Sequence, residues 1–104
     1  MTKTELRHVR SALRKLGPKR VRMGRAAFRN LATARSSFTS CFLARAYGKP
    51  GALSRRCART NESYQKVLGL SVGEMWDTAM AFDKEPSVLR DLVKTFLEAT
   101  NANG

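Results

Sequence analysis

The sequence contains no isoleucine, one histidine and two cysteines, and a single acidic residue, Glu5, precedes position 61. Each scarcity excludes something. Two cysteines cannot build the multi-bridge framework of a small secreted domain. Cys41 and Cys57 stand sixteen positions apart with no Cys-x-x-Cys, and His8 is the only histidine. The chain is therefore short of the four ligands that a structural zinc requires. Both cysteines fit small buried apolar residues in a reducing compartment, so the expected location is cytoplasmic. No apolar run reaches 18 residues, so a membrane-spanning helix is not expected. The N-terminus also lacks the apolar stretch of a secretory signal. Its acid-poor, Arg- and Ser-containing composition has features of an organellar transit peptide, against which Glu5 and the helical spacing count.

Chemistry-bearing constellations are equally scarce. There is no Gly-rich phosphate loop. A Cys41–His8 pair is conceivable, but one histidine in an arginine-rich helix is more simply a surface residue. Glu74, Asp77 and Asp83 scatter around a helix instead of converging on a cation. The expectation is a protein that is not an enzyme and carries no cofactor or metal.

What the chain has in excess is positive charge. Its 104 residues hold 20 Lys or Arg against 8 Asp or Glu, a net charge of +12. The excess lies in one half. Residues 1–60 carry 16 basic residues and one acidic residue, whereas residues 61–104 carry four basic and seven acidic. Such asymmetry points to an anionic partner for the basic half. Arginine outnumbers lysine 13 to 7. Its planar guanidinium contacts phosphate through two parallel hydrogen bonds and keeps its charge at any working pH. A surface built only for solubility mixes the two signs.

The coarse pattern is all helix. No stretch alternates apolar and polar residues as a half-buried strand would. The length suits one small domain, with five or six helices expected. A first helix is expected over about residues 3–16, opened by the Thr2/Glu5 capping-box pattern and closed by Gly17-Pro18. Leu6, Val9, Leu13 and Leu16 form its apolar seam, with Lys3, Arg7, Arg10 and Arg14 in a stripe roughly 95° away. A second helix is expected from near Val21 to at least Arg35. Met23, Ala27, Phe28, Leu31, Ala34 and Phe38 lie on its inner face, and Arg22, Arg25 and Arg29 on the opposite one. The short linker 17–20, with Lys19 and Arg20, suits an αα-hairpin that puts both arginine stripes on one solvent side.

Residues 38–47 look helical again, and residues 52–59 could form short turns carrying Arg55, Arg56 and Arg59. Beyond them, Asn61 can cap a short helix through Leu68, and Gly69 suits a left-handed C-terminal position. Ser71 with Glu74 repeats the capping box, and Leu70 with Met75 matches a hydrophobic staple. The helix they open should run from about residue 72 to 83. Pro86 suits the first position of a last helix. Val88, Leu89, Leu92, Val93, Phe96 and Leu97 form its apolar face, and residues 100–104 are expected to fray. Phe28, Phe38, Phe42, Trp76, Phe82 and Phe96 are the bulky core candidates. The acidic half, 61–99, should supply much of that core, with the basic hairpin 1–35 packed on it and 36–60 connecting them.

The stretch from Tyr64 to Trp76 resembles a helix-turn-helix corner at Leu68-Gly69-Leu70-Ser71. Gln65 stands where that motif has a small residue, and Glu74 and Asp77 would repel phosphates from the second helix. An ordinary capped corner is the simpler reading. The segment 17–25 also has the composition of a minor-groove arm or an import signal. Phe42 and Tyr47 lie near basic residues and could stack on single strands, although aromatics at helical spacing are more often core.

The leading expectation is a small nucleic-acid-binding protein. DNA or RNA would be held by phosphate contacts from Lys3, Arg7, Arg10, Arg14, Lys19, Arg20, Arg22, Arg25, Arg29, Arg55, Arg56 and Arg59. The alternative is a small inhibitor of the phage or mobile-element type, for example of a CRISPR effector, docking its basic face on an acidic protein surface. A third reading, adsorption to an anionic membrane, is weaker because the first two helices need their apolar faces for the core.

Overall fold

A computed structural model describes residues 1–29, 42–47, 65, 66 and 68–102. Expectations placed on residues 30–41 and 48–64, including Phe38, Arg35, Asn61 and both cysteines, lie outside the described residues. So do the side chains of Ala27, Phe28, Arg29 and Tyr47.

The only regular secondary structure among the described residues is helix, with no strand. They form α1 (Lys3–Arg29), α2 (Phe42–Tyr47), α3 (Val72–Lys84) and α4 (Pro86–Ala102). The described residues thus hold three long helices and one of six residues; the segments expected to supply others, about 52–59 and 61–68, lie mostly outside them. The first two expected helices meet at Gly17. The sequence suggests a four-residue linker, but only Gly17 leaves the helical conformation, at φ 83° and ψ 162°. An L-residue avoids that region, and glycine enters it freely. Pro18 then restarts the helix at once, since its fixed φ and missing N–H suit a first helical position. The result is two helical arms, residues 3–16 and 18–29, joined at a one-residue corner.

One hydrophobic core serves all four helices. α1 packs against α2, α3 and α4 and is therefore its spine. Val9, Ala12, Leu13 and Leu16 of the first arm are buried as their spacing predicts, with Leu6 at the margin. The second arm is rotated from the expected phase. It buries Val21 and Gly24, whereas Met23 is 38% exposed. Gly24 decides that orientation, because a Cβ there would lie 2.8 Å from the Phe42 ring. With no side chain at Gly24, the α2 ring packs directly on the α1 backbone. Phe42 is fully buried by that contact.

The corner between residues 68 and 71 forms as expected. Gly69 has φ 69°. Ser71 Oγ accepts from the Glu74 N–H at 3.2 Å, and the Glu74 carboxylate accepts from the Ser71 N–H at 2.8 Å. Both halves of the capping box are present. α3 buries Glu74, Met75, Thr78, Ala81 and Phe82 on one face. Trp76, expected in the core, is instead 48% exposed and lies with Val72 and Met80 on the outer face. At about 100° per residue, positions 72, 76 and 80 form an outward row once 75, 78 and 82 face inward.

Glu85 alone joins α3 to α4. Its N–H donates to the Ala81 carbonyl and its carbonyl accepts from the Leu89 N–H, both at 3.1 Å. Pro86 takes the first position of α4 as expected. Leu89, Val93 and Leu97 are buried, with Leu92 and Phe96 partly buried against them. The helix continues to Ala102 through residues expected to fray. The Thr100 hydroxyl donates to the Leu97 carbonyl, and Asn101 is held by Arg22. Among the described residues, no helix is long and apolar enough to cross a membrane.

Candidate nucleic-acid interface

The first arm of α1 presents charge on two flanks, and the two are treated differently. On the flank facing α3, His8, Ser11 and Lys15 meet carboxylates. Lys15 Nζ lies 2.6 Å from Glu74 Oε1, and the Ser11 hydroxyl donates to Glu74 Oε2 at 2.5 Å. His8 Nδ1 lies 2.5 Å from Asp77 Oδ2, with the imidazole against the Gly73 backbone. A Cβ at Gly73 would come within 2.7 Å of that ring.

Glu74 anchors this flank. The residue is 4% exposed, and such burial on its own would raise its pKa. Hydrogen bonds from Lys15, Ser11 and Ser71 together outweigh the burial and hold the carboxyl at about 2. A buried carboxylate stays ionised only where charge and donors replace the water it has lost. Sequence reasoning found the cap and missed the ion pair, because Lys15 and Glu74 are 59 positions apart.

Lys3, Arg7, Arg10 and Arg14 occupy the other flank. All four are exposed, and none has an ion-pair partner among the described residues. Eleven residues of helix lay them along roughly 16 Å. Lys19 and Arg20, beyond the corner, are also exposed and without such a partner.

The second-arm arginines do not join this stripe. Arg22 donates to the Asn101 side chain at 3.0 Å. Its cation thereby sits at the carbonyl-rich C-terminal end of α4, whose own last turn contains no basic residue. Arg25 is partly buried and lines a small cavity with Phe42, Leu89, Arg90 and Val93.

Arg10 and Arg14 border a different depression, a groove of about 350 Å³ between the first arm and α4. Its α4 wall includes Leu92, Phe96 and Ala99. Helical spacing puts those residues about 180° around α4 from Arg90 and Asn101. The basic residues of the two arms therefore meet opposite flanks of α4, and they do not share the one solvent side expected of a hairpin. Between them the exposed face of α4 carries Asp91, Lys94 and Glu98. The arms cannot close as a simple hairpin because α4 packs against both.

Of the expected contact residues, Arg29 has its side chain outside the described set, and Arg55, Arg56 and Arg59 lie outside it altogether. Among the aromatics suggested for stacking, Phe42 is buried and Tyr47 has no described side chain. Phe96 was expected only in the core, yet it also lines the groove beside Arg10 and Arg14. The described residues include no cluster of three or more potential metal ligands. Comparison with family models, curated proteins and solved structures gives no match to this chain.

Proposed function

We propose that this chain is a small non-enzymatic protein that binds nucleic acid through the phosphate backbone. Lys3, Arg7, Arg10 and Arg14 form the main contact row, extended past the corner by Lys19 and Arg20. One observation carries the reading: these six basic side chains are exposed and lack ion-pair partners among the described residues, while Lys15 on the same helix is paired. Leaving such charges unneutralised costs self-repulsion in the folded state, which binding a polyanion relieves. Arg22 and Arg25, held against α4, are secondary contacts at most. Cytoplasmic residence accompanies this reading.

Fluorescence anisotropy against labelled duplex DNA, single-stranded DNA and hairpin RNA, at about 50 and 200 mM salt, tests it. Six phosphate contacts on duplex DNA give a log–log salt slope of about −5. Replacing Lys3, Arg7, Arg10 and Arg14 by Gln should weaken binding and flatten the slope while helix content is retained. Affinity that is insensitive both to salt and to these replacements would overturn the reading.

A second reading is a protein-docking module, such as a phage-type inhibitor seated on an acidic surface. The exposed row Val72, Trp76 and Met80 favours it, since contiguous exposed apolar side chains mark protein contacts. Binding of that kind would lose less affinity at 200 mM salt.

A further inference from the structure

We infer that the groove between the first arm of α1 and α4 receives an unstacked base of a single-stranded nucleic acid, with its flanking phosphates on Arg10 and Arg14. This inference rests on the nucleic-acid reading above and adds the form of polymer that is preferred.

The groove has the two halves that such a ligand requires. Its floor is apolar, formed by Leu13 from α1 and by Leu92, Phe96 and Ala99 from α4. Its rim on the α1 side is cationic, with Arg10 and Arg14 one helical turn apart. No acidic residue lines it. The volume of about 350 Å³ falls within the range of sites that take small ring-containing ligands. Sites for single strands combine a basic track for the backbone with an aromatic surface for the bases. Here the track is the row from Lys3 to Arg14, and the aromatic is Phe96.

Among the aromatic residues whose side chains are described, Phe42 and Phe82 are buried, and charge singles out Phe96 over Trp76. Trp76 is larger and more exposed, but it shares the outer face of α3 with Asp83 and follows the corner closed by Glu74. A phosphate brought to Trp76 has the exposed carboxylate of Asp83 on the same face, whereas one brought to Phe96 has two guanidinium groups on the groove rim. A base inside a duplex is stacked on both faces and cannot enter, so the groove discriminates in favour of single strands.

The test uses the full chain and four labelled probes at one salt concentration: an oligo(dT) strand of about 20 nucleotides, the matching oligo(rU), a fully abasic strand of equal length, and a duplex. The abasic strand keeps the phosphates and removes every base. One of the two base-bearing strands is expected to bind about tenfold more tightly than the abasic strand and the duplex, and comparing them tells which sugar is preferred. Phe96→Leu should remove most of that advantage and leave abasic binding unchanged.

Equal affinity for abasic and base-bearing strands would overturn the inference and leave the phosphate-contact reading standing. Failure to bind any of the four would overturn both and return the surface to a protein partner. Should Phe96→Leu not fold, the abasic comparison in the unaltered protein still decides.

Discussion

The two flanks of the first arm of α1 differ in what surrounds their charges. His8, Ser11 and Lys15 face α3 and are matched by Glu74 and Asp77. Lys3, Arg7, Arg10 and Arg14, centred about 100° around the same helix, have no such partners among the described residues. Two of the chain's eight carboxylates, Glu74 and Asp77, serve this interface. A charge that enters a packed interface has to be compensated, whereas a charge in water does not. The first flank therefore bears on stability, and the second is left available for a ligand.

Acid should expose the first flank most strongly. The Glu74 carboxyl is held at about 2 in the fold against an ordinary 4.5. Its stabilisation is thus complete above the unfolded value and is lost as pH falls from about 4.5 through about 2. The loss is on the order of 3 kcal/mol. Urea melts at a series of pH values should show that decline, and Glu74→Gln should remove most of it.

At neutral pH, Glu74→Ala should cost about 2 to 3 kcal/mol, since it removes a cap and leaves Ser11 and Lys15 unmatched. The half-exposed Lys15 can regain water, which keeps the figure below that of a fully buried pair. Denaturant midpoints check it. A smaller step is Gly73→Ala. Its methyl group would displace the His8 ring and weaken the contact with Asp77, at a cost of about 1 to 2 kcal/mol. Loss of the His8–Asp77 contact should be visible in the His8 ring signals by NMR.

The second flank should respond in the opposite way. Replacing Arg10 and Arg14 together by Ala should change stability by less than about 0.5 kcal/mol per site. It should also reduce the magnitude of the salt slope of nucleic-acid binding by about 2. If that pair proved as destabilising as Glu74→Ala, the contrast between the flanks would fail.

Local chemistry was legible from the residues alone. Ser71 and Glu74 specify a cap three positions apart, Gly69 suits a left-handed turn, and Pro86 opens α4. Each of these depends on neighbours in sequence. The apolar seam of the first arm was equally legible, because Val9, Leu13 and Leu16 recur at helical spacing with no competing face. The phase of the second arm was not. Met23 and Val21 are both apolar, and only the approach of Phe42 to Gly24 selects which one turns inward. Trp76 illustrates the same limit. Its bulk suggested burial, but the inward row of Met75, Thr78 and Phe82 fixes α3 with Trp76 outside.

The basic surface divides along the same line. Net charge, the arginine excess and the stripe from Lys3 to Arg14 are properties of composition and of 3.6-residue periodicity. The sequence by itself therefore determined that an all-helical chain would carry an arginine-rich face. Tertiary structure decided which cations are paired among the described residues. Lys15 and Arg22 differ from Arg14 and Arg20 only in what α3 and α4 bring to them from 59 and 79 positions away. Periodicity sets which side of a helix a charge lies on, but its partner is set by packing between segments whose separation in sequence carries no local signal.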